Sequence, residues 1–76
     1  MNSNIKDRLK IDIIVKERED YSELWLDLGY KSINRGRVNA SFSDLMAAGY
    51  NKLINLLMPE YILEDFEVYG IIKKEA

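Results

Sequence analysis

The sequence predicts a small α+β domain: a four-stranded, mostly antiparallel sheet with one helix packed on one face. Three observations carry this. The segments Leu9–Val15, Leu24–Tyr30 and Phe66–Ile72 alternate apolar and polar residues with the period of a strand. The stretch from Asp44 to Leu57 places its apolar residues at helical spacing instead. Pro59 closes that stretch, because the residue before a proline is driven out of the helical region.

The elements follow in order. Residues 1–7 read as a flexible terminus, and 8–76 as a single domain. From Arg8 to Glu17, Leu9, Ile11, Ile13 and Val15 share one parity and form the first strand. Glu17-Arg18-Glu19-Asp20 is a polar turn. The second strand runs from about Tyr21 to Ile33, with Leu24, Leu26, Leu28 and Tyr30 inward and Gly29 as a bulge or close backbone approach. Asn34-Arg35-Gly36 has the chemistry of a hairpin loop and leads to a third strand over Arg37 to Phe42. Ser41 or Ser43 caps the helix, and Asp44 favours its first turn. Gly49 lies within the apolar arc, where a missing side chain lets helix and sheet approach closely. The last strand spans about Glu64 to Lys74. The first three strands form an antiparallel meander, and the fourth returns beside one of them. The expected core is Leu9, Ile11, Ile13, Val15, Leu24, Leu26, Leu28, Val38, Phe42, Leu45, Met46, Leu53, Leu57, Phe66, Val68 and Ile72.

At 76 residues the chain is near the lower limit for a single unaided core. It has no cysteine, which removes disulfides and thiolate metal sites, and no histidine, the commonest general base and transition-metal ligand. Self-association is the reinforcement left to it. There is no Gly-x-Ser-x-Gly elbow, no glycine-rich phosphate loop and no calcium-loop spacing, and the paired acids Glu19-Asp20 and Glu64-Asp65 sit in turns. No catalytic residue, cofactor or metal ligand is expected. The N-terminus lacks an apolar signal region and no apolar run is long enough to span a bilayer, so a cytoplasmic, non-membrane protein is expected.

The functional lead is the second sheet face, because one helix covers only the first. That face carries Ile14, Trp25, Tyr69 and Ile71 among charged residues. Trp and Tyr are enriched where proteins meet partners. The same arrangement also suits Lys and Glu stems folded over an exposed Trp. Lys31, Arg35 and Arg37 form an acid-free stretch and are expected at one basic tip that steers a partner. The reading that follows is a non-enzymatic protein-interaction module that self-associates. It belongs with the small inhibitors and adaptors that phages and mobile elements encode, and acts by occupying a protein surface. The alternative is a nucleic-acid binder that stacks bases on the aromatic face and reaches phosphates with the basic tip. A net charge of −2 and a pI near 5.0 weigh against that. A narrower idea, phosphate mimicry by Glu60, Glu64, Asp65 and Glu67, meets the same small charge from the other side.

Overall fold

The computed structural model describes residues 6–75, so most of the terminus expected at 1–7 lies outside the described residues. The elements are β1 (Asp7–Lys10), β2 (Asp12–Glu17), β3 (Ser22–Asp27), β4 (Ser32–Val38), α1 (Phe42–Ala48), α2 (Tyr50–Leu57), α3 (Glu60–Asp65), β5 (Phe66–Tyr69) and β6 (Ile72–Lys74). The fold is α+β, with a four-stranded sheet in the order β4-β3-β2-β6. β2, β3 and β4 form the antiparallel meander, and β6 returns parallel to β2. β1 pairs parallel with β5. Leu9 faces Val68 and Ile13 faces Ile72, so both parallel ladders keep one register and form one long strand pair with a local break.

The break has a chemical cause. The Ile11 carbonyl accepts the Tyr50 hydroxyl at 2.5 Å, and the Asp12 carboxylate accepts the Ile71 N–H at 3.0 Å. A side chain thus supplies the acceptor that the ladder lacks at this step, so the part-buried Ile71 N–H keeps a partner.

One parity of the sheet makes the core. Ile11, Ile13, Val15, Leu24 and Leu26 pack with Leu45, Leu53, Ile54 and Leu57 of α1 and α2. Each such side chain contributes roughly 1.5–3 kcal/mol by leaving water. Leu9, Leu28, Phe42, Val68 and Ile72 flank this cluster as expected, whereas Val38 and Met46 are exposed. Ser22 is fully buried and donates its hydroxyl to the Ala40 carbonyl at 2.6 Å, which ties β3 to the approach to α1.

Several expectations are corrected. The expected second strand is cut at Gly29, where Leu28 N–H meets the Lys31 carbonyl at 2.9 Å around a two-residue loop. Gly29 has φ of +94° while Tyr30 does not have positive φ, the pattern of a hairpin with glycine first. Length decides between the two glycine loops: β2 offers six residues, and a turn at Gly29 gives β3 six partners. Asn34-Arg35-Gly36 is therefore no connection but a bulge in β4. Glu23 faces Arg37 and Trp25 faces Asn34, leaving two residues against Leu24. β4 ends at Val38, so the third strand expected over Arg37 to Phe42 is displaced toward the N-terminus.

The single expected helix is three. Ser41 caps α1, accepting the Asp44 N–H at 3.1 Å, and the Asp44 carboxylate accepts the Ser41 N–H in return. At Gly49 the chain takes φ of +95° and starts α2. A Cβ at Gly49 meets nothing within 4 Å, so its role is the kink and not close packing. Gly49→Ala should cost about 1–2 kcal/mol through backbone strain alone, seen as a lower urea midpoint with an unchanged slope. Pro59 ends α2 at Met58 as the sequence predicts, and then precedes the short α3, which occupies the start of the expected last strand. Pro is well suited to a helix start, and six residues, fewer than two turns, are too short to show periodicity.

Candidate interaction surface

The second face is built by the other strand parity. Ile14 sits between Trp25 and Lys73, and Trp25 between Ile14 and Asn34. Asp12 lies directly across from Asp27. Like charges so placed repel, and Lys73 resolves this from β6, with its Nζ 2.9 Å from Asp27 and 3.5 Å from Asp12. Lys10 adds a contact to Asp12 at 3.7 Å. Trp25 donates Nε1–H to Glu23 at 3.1 Å, and the Lys16 ammonium lies 3.9 Å from its ring centre. The centre of the face is therefore closed by its own charged side chains. Ile14 is only 8% exposed and Asp12 only 7%.

The apolar residues still open on this face lie at its margin. Ile71 is 60% exposed and Tyr69 39%. Tyr69 ends β5 and Ile71 lies in the break before β6, and the Arg8 guanidinium stands 4.2 Å from the Tyr69 ring centre while pairing with Glu67 at 3.2 Å. The four apolar residues thus fall into two pairs, Ile14 with Trp25 and Tyr69 with Ile71.

The basic residues are dispersed. Lys31 lies at the hairpin turn beside Tyr30. Arg35 donates Nε–H to the Leu57 carbonyl at 3.0 Å, satisfying an end group of α2. Arg37 stands 4.6 Å from the Tyr21 ring centre and opposite Glu23. The basic tip expected from all three is not formed, because the turn is at Gly29 and Arg35 is in the bulge.

The edge itself is the feature that sequence reasoning missed. Tyr69 and Ile71 carbonyls accept from Ile11 and Ile13 at 2.8 and 2.9 Å, and Glu75 N–H donates to Val15 at 3.0 Å. Strand alternation then turns the main-chain groups of Val68 in β5, and of Ile72 and Lys74 in β6, outward, with Gly70 in the break between them. Among the described residues no hydrogen bond satisfies them beyond the sheet. The opposite edge, β4, is interrupted by its bulge and lined by Arg35 and Arg37, which discourages strand pairing. A signal for the β5–β6 edge exists in the sequence, namely an acid and a base placed evenly about Gly70, at Glu67 and Lys73.

Several groups titrate away from their ordinary values. The Phe42 N–H, then Lys74, lowers the Glu17 pKa. The Trp25 N–H lowers that of Glu23, with Arg18 and Lys16 adding to it. Lys73, then the Gly29 N–H, lowers that of Asp27, and Asp27 in turn raises that of Lys73. Burial, and then the charge of Asp12, pushes the Tyr50 hydroxyl up to about 12. Because the folded state holds these carboxylates below their unfolded values, their contribution is full above about pH 4.5 and is lost as pH falls through the folded pKa values. Tyr50 and Lys73 are raised, so their contribution is full below about pH 10 and is lost as pH rises through the folded pKa values, about 12 for Tyr50. Urea midpoints measured from pH 2 to 12 should therefore form a plateau with two falling limbs, and Tyr50→Phe should remove part of the alkaline one.

Among the described residues no three of His, Cys, Asp and Glu are grouped as a metal ion would require, and no helix is long and apolar enough to cross a membrane. Comparison with family models, with curated proteins and with solved structures finds no significant match.

Proposed function

We propose that the chain is a non-enzymatic protein-interaction module that works in the cytoplasm by strand addition at the β5–β6 edge. The observation that carries this reading is the set of outward main-chain groups at Val68, Ile72 and Lys74, on either side of the break at Gly70, beside exposed Tyr69 and Ile71. Such an edge supplies hydrogen bonds through its backbone and selectivity through alternate side chains. An inhibitor or adaptor needs nothing more than a surface that a partner can occupy. Nucleic-acid binding has weaker support, since Arg35 is committed to the Leu57 carbonyl and Arg37 to Tyr21 and Glu23.

A photo-crosslinking side chain placed at Ile71 tests the edge whatever the partner is. Adducts should form from Ile71 and not from Leu56, which is 74% exposed on α2 and serves as the control. Adducts from Leu56 with none from Ile71, in purified protein and in extract of the producing cell alike, would overturn the reading.

A further inference from the structure

We infer that the strand this edge takes is its own copy: two chains pair antiparallel along β5–β6 about a two-fold axis through Gly70. The inference rests on the edge being the contact surface, and adds the partner and the register. An antiparallel pairing of one edge with itself is the arrangement that closes as a dimer.

The register follows from the sequence of the edge. Around a dyad at Gly70, Val68 faces Ile72 of the second copy on the helix side, and Tyr69 faces Ile71 of the second copy on the other side. Glu67 faces Lys73 of the second copy, so opposite charges close both ends. The hydrogen-bonding parity agrees. The outward strand residues Val68 and Ile72 meet across the dyad as hydrogen-bonded pairs, with Gly70 of the two copies, in the break between the strands, meeting on the axis. Glu67, Tyr69, Ile71 and Lys73 then fall in the non-hydrogen-bonded pairs, where side chains approach most closely. Neighbouring registers of the same parity lose this match. A two-residue slip one way sets Glu67 against Ile71; the other way sets Tyr69 against Lys73 and Glu67 against Glu75.

The fold supports the pairing in two further ways. Val68 and Ile72 already flank the core, so their meeting across the dyad joins the two cores along the sheet. The Arg8–Glu67 pair is exposed on both sides, with side chains 60% and 64% accessible, so Glu67 is free to gain a second cation without leaving a buried one unpaired. Lys73 already sits between Asp12 and Asp27 and has an ammonium with three donors to share.

The chain contains no cysteine, which makes a register test direct. Tyr69→Cys and Ile71→Cys proteins, one carrying a mass tag, are mixed and oxidised mildly. In the Gly70 register these positions face each other across a pair with Cα atoms about 4.5 Å apart, within disulfide reach. The mixed disulfide should dominate over either self-linked product. Light scattering of the unmodified protein over a dilution series should show a dimer giving way to a monomer. Glu67→Lys, which sets like charges at both ends, should weaken that dimer about tenfold while leaving the thermal melt of the dilute monomer nearly unchanged. Dominant Ile71→Cys self-linkage, or a dimer that Glu67→Lys does not weaken, overturns the Gly70 register. A protein that stays monomeric at every concentration overturns self-pairing. If Ile71 then crosslinks to a different protein, the interaction edge stands and only the identity of its partner fails.

Discussion

Gly70→Ala should be the most damaging small substitution in the chain, lowering stability by about 3 kcal/mol. A Cβ built at Gly70 comes within 2.2 Å of the Ile11 carbonyl oxygen and 2.8 Å of the Asp12 carboxylate. Neither neighbour can yield cheaply. The Ile11 oxygen is main chain in the middle of the sheet and already accepts the Tyr50 hydroxyl, and the Asp12 oxygen is bound to Ile71 N–H. The strand must therefore move away from β1 and β2, and both hydrogen bonds move with it. A domain of this size seldom holds more than about 3–5 kcal/mol in reserve. The expected loss is thus most of the total, a drop in Tm of roughly 12–24 °C. Gly49→Ala is the built-in comparison, since its Cβ meets open space and only the backbone is strained. If the two substitutions cost the same, Gly70 does not lie against Ile11 as described. A Gly70→Ala loss much larger than the Gly49→Ala loss supports the packed geometry on which the edge depends.

The alternation of Ile11, Ile13 and Val15 with Leu24 and Leu26 was legible because the other parity of those segments carries Asp12, Lys16, Glu23 and Asp27. Ser41 with Asp44, and Pro59, marked helix boundaries for reasons that are local and chemical. The placement of the hairpin was not legible locally. Gly29 and Gly36 both sit in residues able to turn, and both take positive φ in the fold. What separates them is the length of β2, a strand that pairs with β3 and so enters only through tertiary structure. The close approach expected at Gly49 is found at Gly70 instead, for the same reason. Close approach is a property of the neighbour, and the neighbour of Gly70 is Ile11, far away in sequence.

The candidate surface divides along similar lines. That Tyr69 and Ile71 share a face with Ile14 and Trp25 follows from parity. How far each is covered does not, because coverage comes from residues on adjacent strands. Lys16 and Glu23 engage Trp25, and Lys73 and Trp25 flank Ile14, whereas the outer strand has no further strand beside it among the described residues. Which strand is outermost is a matter of strand order, which periodicity does not encode.

Asp12→Ala is expected to cost about 2 kcal/mol, the scale of a lost part-buried hydrogen bond to a charged acceptor. Two effects oppose each other at this position. Removing Asp12 relieves its repulsion with Asp27, directly opposite, but that repulsion is already answered by Lys73 between them. The loss of the acceptor for Ile71 N–H is answered by nothing nearby, so destabilisation wins. Asp12→Asn should recover much of the loss, because an amide oxygen still accepts that N–H. Lys73→Met tests the other half of the cluster and should behave differently with pH. It leaves Asp12 and Asp27 facing each other with Lys10 as the remaining close cation among the described residues. Its cost should shrink as pH falls and the Asp27 carboxylate takes a proton, whereas the cost of Asp12→Ala at neutral pH comes mainly from the orphaned N–H. Urea denaturation of the three variants at pH 7 and pH 4 separates these outcomes. Asp12→Asn as damaging as Asp12→Ala would mean that charge, rather than the Ile71 hydrogen bond, holds β6 to β2. The edge would then be held in register by the ion cluster on the second face.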